Sequence, residues 1–297
     1  MHKFDDKASK ILLNVLSHTI ERLSMDPPTL DYPKSVNFFE KNAKSLISEM
    51  GNSIDTVFDQ YKNTIEQSII SVDSPRNLAF IPAAPTKASM IFDLVVSAGS
   101  LCGVSWQEAS GAVWAENQVI RWIADLVGLP ESAGGCFVAG GTNGNLSSLV
   151  VAREEFRKKN PGTLKRLAIL CSDQTHSSVK STALVMDCEV IVVATTDSYQ
   201  LTPELIENEL REHSKTYESL DIFAVVATAG TTNLGVIDDI NGISDYAKKN
   251  KIWLHVDGAY GGAGLLSDNV KDLFNGVENA DSFIVDPHKW LFAPLDC

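Results

Sequence analysis

Apolar positions along the chain change their period as it proceeds, and the changes divide it into two parts. Over residues 4–24, Ile11, Leu12, Val15, Leu16, Ile20 and Leu23 recur at helical spacing, which predicts an amphipathic helix. The MDPPTLDYP stretch breaks it with two proline-rich turns, and further helical segments are expected at 36–49 and 52–70. This first section, residues 1–75, has little core of its own, so it is expected to pack on another surface, a second subunit included.

From Asn77 the texture becomes apolar and irregular. Pro82 and Pro85 keep NLAFIPAAPT out of a regular helix or central strand, and an apolar loop of this kind is often a pocket wall. Helices follow at 87–99 and 109–127; the second carries Val113, Trp114, Val119, Ile120, Ile123, Leu126 and Val127, and Gly128 and Pro130 end it.

Strand and helix then alternate. Strands are expected at 135–140, 166–170, 189–194, 221–228, 252–257 and 282–285, with helices at 146–156, 176–185, 202–214 and 239–250. The third of these helices has a marked start, with Thr202 as N-cap, Pro203 at the first helical position and Glu204 at the positive end of the dipole. Apolar strands in repeated strand-helix units imply an α/β domain over residues 76–297, a mostly parallel sheet covered by helices on both faces.

Composition narrows the function. Hydrophobic residues make up 44% and charged residues 21%, near the globular average, and no apolar run is long enough to span a bilayer. A net charge of -13 with no basic patch argues against nucleic acid or an anionic membrane as partner. The start, MHKFDDKASK, has acidic residues where a signal peptide needs an apolar core. Five scattered cysteines show no CxxC spacing and three lie in apolar runs where a buried free thiol is expected, which points to a reducing, cytoplasmic compartment.

Four strand ends and one lysine carry the candidate chemistry. In AGGTNGN, Gly140, Gly141 and Gly144 allow close backbone approach, and the helix beginning near Asn145 offers N–H groups to a phosphate; a tight strand-to-helix turn explains the same residues. His176 in DQTHSSV stands at a helix start, where its imidazole can cover a flat ring or serve structure alone. Thr228 in ATAGTT closes a strand, with its hydroxyl free to meet a ligand or to cap the turn. Asp257 in HVDGAYGG ends an apolar strand, either capping the next turn or holding a cation, and Ala259 leaves room for a planar ring. Lys289 in DSFIVDPHKWL follows the last strand among Trp290, Leu291 and Phe292, whose desolvation favours a neutral, nucleophilic amine; a solvated loop lysine is the plain alternative.

A phosphate cradle, a stacking imidazole, a carboxylate for a ring nitrogen and a lysine for an aldehyde are the contacts of pyridoxal 5′-phosphate (PLP). Metal chemistry is disfavoured, because His176, His255 and His288 form neither HxxxH nor HExxH, and the absence of GxSxG disfavours a serine hydrolase. AGGTNGN does not fit GxGxxG, which disfavours a dinucleotide site.

DxxHSSV, HVDGAYGG and above all DSFIVDPHKWL resemble the group II PLP-dependent amino-acid decarboxylases, which act on aromatic amino acids, histidine, tyrosine or glutamate. The resemblance runs from about residue 75 onward. It implies the PLP-dependent transferase fold type I, a homodimer, and decarboxylation of an L-amino acid, aromatic first, to the primary amine and carbon dioxide through a Lys289 Schiff base. It implies His176 stacked on the ring, Asp257 at the pyridine nitrogen, Ala259 beneath the ring, Thr228 near its substituents, and Gly141, Thr142, Asn143 and His288 around the phosphate. Phe80, Pro82, Ala83 and Trp106 match the substrate-pocket side, although Phe80 and Ala83 depart from the Tyr and Thr of the aromatic members. Other readings within the resemblance are a glutamate or other amino-acid decarboxylase, an aldehyde synthase, an aminotransferase, a lyase, or a truncated non-catalytic subunit. The family continues well past the position of Cys297, into a small C-terminal domain with a catalytic tyrosine loop and an arginine, so the resemblance implies a chain lacking that part.

Overall fold

The computed structural model describes residues 4–43, 47, 49–81 and 83–295. It has two compact units, Met1–Ala84 and Pro85–Cys297. The first contains α1 (Asp6–Leu23), α2 (Val36–Asn42) and α3 (Ile54–Gln60), followed by an irregular helical turn through Ser68. Each helix starts on a side-chain cap, Asp5, Ser35 and Ser53 respectively, which takes one of the N–H groups the helix leaves unpaired. None of the three buries a residue fully. Polar ties join the section instead: Arg22 grips Asp73 with two bonds of 2.6 and 3.0 Å, and His18 meets Glu66 at 2.9 Å. Of the helix expected at 36–49, residues 44–46 and 48 lie outside the described residues, and α2 ends at Asn42.

The second unit opens with α4 (Lys87–Gly99) and α5 (Trp106–Val127). Gly128 ends α5 at φ 84°, a left-handed conformation that costs glycine nothing. Next come α6 (Gly140–Lys159), β1 (Arg166–Ser172), α7 (Ser177–Val185), β2 (Glu189–Val193), α8 (Pro203–Glu212) and α9 (Ser214–Tyr217). The unit continues with β3 (Leu220–Thr228), α10 (Ile240–Asn250), β4 (Trp253–Asp257) and β5 (Ser282–Ile284). The five strands form one parallel sheet in the order β2-β1-β3-β4-β5.

Side chains alternate across that sheet, with one irregularity where the pairing of β1 and β3 skips Phe223, and divide the core in two. Ala168, Leu170, Val225, Ala227, Leu254 and Val256 face α8 and α10, whereas Leu167, Ile169, Cys171, Phe223, Ala224 and Val226 face α6 and α7. Fully buried side chains such as Leu149, Leu170 and Phe223 contribute about 1.5–3 kcal/mol each by leaving water. The alternation also puts His255 and Asp257 on the α6 side. Close packing of α6 on β5 needs Gly144, where a Cβ would stand 3.0 Å from Ile284 Cγ2.

The structure corrects two expectations. Residues 135–140 form no strand; the Phe137 N–H donates to the Glu116 carboxylate at 2.7 Å rather than to a neighbouring strand. The helix expected from 146 begins at Gly140, so the glycines occupy its first turns and not a loop before it. Among the described cysteines, Cys171 and Cys188 are buried, and Cys102 and Cys136 are exposed.

Candidate active site

Parallel strands deliver their carboxyl ends to one edge, and ligands of open α/β sheets bind there. Thr228 and Asp257 are the last residues of β3 and β4 and lie side by side in register. Beyond β5 the chain turns back through Asp286, whose N–H donates to the Ala259 carbonyl at 3.0 Å, and the Lys289 N–H closes the turn on the Asp286 carbonyl at 3.0 Å. From the facing side come the first turn of α6, which Ala139 cannot cap with a side chain, and His176, which caps α7. The free N–H groups and positive dipole end of α6 thus open onto the same space.

These elements enclose a cavity of about 240 Å³. Of the residues singled out from sequence, Gly141, Thr142, His176, Thr228, Asp257, Ala259, His288 and Lys289 all line it. Asn143 does not line it; its amide donates to the Ala139 carbonyl at 3.3 Å. Trp106 is exposed at the start of α5 and is not part of the lining. Phe80 and Ala83 belong to the first unit, Phe80 exposed with φ 66°, and Pro82 lies outside the described residues. A larger cavity, about 480 Å³, sits at the opposite, amino end of the sheet around Phe156 and Trp253. It contains none of the strand-end residues, so the smaller cavity is the candidate site.

The Lys289 Nζ forms an ion pair with the Asp286 carboxylate at 2.9 Å, and Trp290 stacks on Tyr260 with ring centroids 5.3 Å apart. The surround expected from Trp290, Leu291 and Phe292 alone is therefore corrected, because a buried carboxylate is the group the amine meets. Gly141 makes room for that carboxylate; a Cβ there would come within 2.9 Å of Asp286 Oδ2. His288 Nε2 stands 4.0 Å from the same oxygen.

Asp257 is buried, with its Oδ1 accepting from the Ala259 N–H at 3.1 Å and its Oδ2 from the Asn145 amide at 2.9 Å. The Thr228 hydroxyl oxygen is buried and has no partner. Such an orphan is costly unless a ligand meets it. The donor set fits PLP: a lysine amine, a buried carboxylate, the small side chain of Ala259, an unpartnered hydroxyl and an uncapped helix start share one cavity. Among the described residues no group of three or more His, Cys, Asp or Glu is arranged to hold a metal ion, and no helix is long and apolar enough to cross a membrane.

Asn145, Asp286 and Tyr260 line the cavity but did not stand out in the sequence. A signal existed for Asp286, three residues before Lys289, where one turn brings side chains together. Asn145 had no such signal, because its partners lie far along the chain, Ser178 33 residues away and His255 and Asp257 more than 100.

Behind Thr228, Asp238 is buried and accepts from the Thr228 N–H and the Leu201 N–H, each at 2.7 Å. Burial pushes its carboxyl up to about 7, against the two N–H bonds. A raised carboxyl holds its proton longer in the folded chain than in the unfolded one, so its contribution is present below pH 3.8 and is lost as pH rises through 7. Asp238→Asn removes that term. Urea unfolding from pH 7 to pH 4 should show the parent gaining on the variant by about 1 kcal/mol per pH unit; a gap that shrinks on acidification would contradict the assignment.

The sheet and the lysine-bearing cavity at its carboxyl edge define a fold type I architecture, and comparison with known proteins gives the family. Residues 39–297 match the pyridoxal-dependent decarboxylase conserved domain, and the chain belongs to that family. It is 31% identical over 291 residues to an aromatic-L-amino-acid decarboxylase of Bacillus atrophaeus, covering 97% of this chain and 54% of the relative. It is 30% identical to 4-hydroxyphenylacetaldehyde synthase of Rhodiola rosea, over 83% of this chain and 52% of that protein. The crystal structure of the glutamate decarboxylase domain of diaminobutyrate-pyruvate transaminase and L-2,4-diaminobutyrate decarboxylase from Vibrio parahaemolyticus superposes with a TM-score of 0.87. That match has 28% identity and covers all of this chain and 67% of the other. The chain spans about half the length of these curated relatives.

Proposed function

We propose that the protein binds PLP and removes the carboxylate of an L-amino acid, an aromatic one first, releasing the primary amine and carbon dioxide. The observation that carries this is the convergence of Lys289, Asp257, His176 and the orphaned Thr228 hydroxyl on one cavity. Lys289 would hold the cofactor aldehyde, Asp257 the pyridine nitrogen, His176 and Ala259 the two ring faces, and the start of α6 with Thr142 and His288 the phosphate. When bound, the cofactor supplies an electron sink for the pair left by the departing carboxylate.

The chain's own residues then have distinct tasks. Asp257, its two oxygens held by two donors, would face the ring nitrogen and favour a proton there. Asp286 receives the Lys289 ammonium and so gives the amine a fixed resting position. His176 and Ala259 would hold the cofactor in a fixed orientation to the bound amino acid, which would favour loss of its carboxylate.

The aromatic preference is supported by the similarity to an aromatic-L-amino-acid decarboxylase. An aldehyde-forming reaction is the second reading, supported by the similarity to 4-hydroxyphenylacetaldehyde synthase. A homodimer is supported by apolar side chains of the second unit that stand in solvent, among them Phe92 and Val95 of α4 and Trp114 and Trp122 of α5. The buried free thiols Cys171 and Cys188 suit a reducing, cytoplasmic setting.

A substrate panel with the intact protein and added PLP tests the reading. Equimolar carbon dioxide and amine from an aromatic amino acid is the expected result. Aldehyde with ammonia would favour the second reading, and keto acid without carbon dioxide would overturn both.

A further inference from the structure

A continuous line of hydrogen bonds runs from the far end of β4 to the cavity. Trp253 Nε1 donates to Ser282 Oγ at 2.8 Å, and Ser282 Oγ lies 2.8 Å from His255 Nδ1. His255 Nε2 lies 2.7 Å from Asn145 Oδ1. The Asn145 amide nitrogen donates both to Asp257 Oδ2 at 2.9 Å and to Ser178 Oγ at 2.8 Å. Ser178 Oγ is 2.9 Å from His176 Nδ1, which also accepts the Ser178 backbone N–H at 3.2 Å. Asn145, Ser178, His255 and Asp257 are all buried, so water cannot substitute for a missing partner.

The donor inventory gives this line one direction. An indole N–H only donates, so Ser282 accepts from Trp253 and has its own proton for His255 Nδ1. Asp257 accepts on both oxygens, Oδ1 from the Ala259 N–H and Oδ2 from the Asn145 NH₂, so the Asn145 oxygen must face His255; the opposite amide orientation would set two acceptors 2.9 Å apart. His255 must then carry its proton on Nε2 and none on Nδ1. Burial pushes the His255 pKa down to about 4, against the pull of Asp257, which suits a ring with a single proton. At the other end a backbone N–H points at His176 Nδ1, which leaves the His176 proton on Nε2.

We propose that Trp253, Ser282, His255 and Asn145 are positioning residues forming a one-way hydrogen-bond relay. The relay fixes the Asp257 carboxylate and, through Ser178, the ring of His176 in the tautomer that presents Nε2–H to the cavity. Asn145 on Oδ2 and the Ala259 N–H on Oδ1 together stop the carboxylate from rotating. Every neighbour so arranged donates to Asp257. The value of this to the protein rests on the PLP reading, in which Asp257 meets the pyridine nitrogen.

Two measurements on the intact protein test it. Nitrogen-15 histidine spectra of the cofactor-free protein should show His255 and His176 as neutral Nε2–H tautomers at pH 7. Fluorescence titration with PLP should give a dissociation constant raised ~10-fold by Asn145→Ala, a scale typical when a supporting hydrogen bond to a binding group is lost. Ser282→Ala should shift the His255 tautomer and weaken PLP less, and Ser282→Thr, which keeps the hydroxyl, should restore both. If Asn145→Ala does not fold, Ser282→Ala and its threonine rescue decide the matter. His255 protonated on Nδ1, or parental PLP affinity in both Asn145→Ala and Ser282→Ala, would overturn the relay. A parent protein with the expected tautomers but no PLP binding would overturn the cofactor reading while upholding the relay.

Discussion

Asp257→Asn in the intact protein lowers kcat about a thousandfold, ~4 kcal/mol of transition-state stabilisation, with little change in KM. The substitution preserves size but not acceptor count. Asp257 offers one oxygen to the Asn145 amide and the other to the Ala259 N–H. An asparagine must present an NH₂ to one of those donors, so it both loses the negative charge and sets donor against donor in a buried site. On the proposed function, loss of the charge would remove the group that favours a proton on the ring nitrogen, and so weaken the electron sink that the cofactor would supply. Steady-state decarboxylation kinetics, with circular dichroism as the folding control, reads the effect; a variant within tenfold of the parent would remove Asp257 from the mechanism.

Lys289→Ala has an equally large effect on turnover, taking amine production below detection, and a second effect on the cofactor-free fold. Asp286 has a side chain only 6% exposed, and Lys289 Nζ is its ion-pair partner at 2.9 Å. Truncating the lysine leaves the buried carboxylate with only His288, 4.0 Å away, beside it, and the expected cost is about 2 kcal/mol, below the full penalty for a deep pair because Lys289 itself is 22% exposed. Adding Asp286→Asn to Lys289→Ala should recover most of that stability without any recovery of turnover. Urea midpoints for the two single variants and the double variant measure the coupling; equal loss in Lys289→Ala and the double variant would show that the ion pair contributes nothing.

Both effects trace to strand ends, and strand ends were the most legible part of the sequence. Apolar strands in regular alternation with helices identified the parallel sheet, and placed Thr228, Asp257 and Lys289 at its carboxyl edge before any coordinates. The cap residues Thr202 and Pro203 marked the start of α8 to the residue, because capping is a local interaction. Residues 135–140 misled for a matching reason: their apolar pattern resembles a strand, but pairing is decided by a neighbour, and Phe137 bonds Glu116 instead. The helix start at Gly140 was also hidden, since glycine carries no helix signal and α6 gains its stability from packing on the sheet.

Within the candidate site, what stayed hidden was the set of contacts made across long sequence separation. Asn145 touches His255 and Asp257 from 110 and 112 residues away, and no local pattern reports such a meeting. Trp106, placed on the substrate-pocket side by the resemblance alone, stands exposed and does not line this cavity.

The proposed function depends on Lys289 being the residue that takes the cofactor aldehyde. Incubation of the intact protein with PLP, reduction with borohydride and peptide mapping by mass spectrometry tests that directly. The account predicts a reduced pyridoxyl phosphate adduct on the peptide containing Lys289, absent from Lys289→Ala. An adduct of undiminished yield in Lys289→Ala, or one mapped to another lysine in the parent, would contradict it.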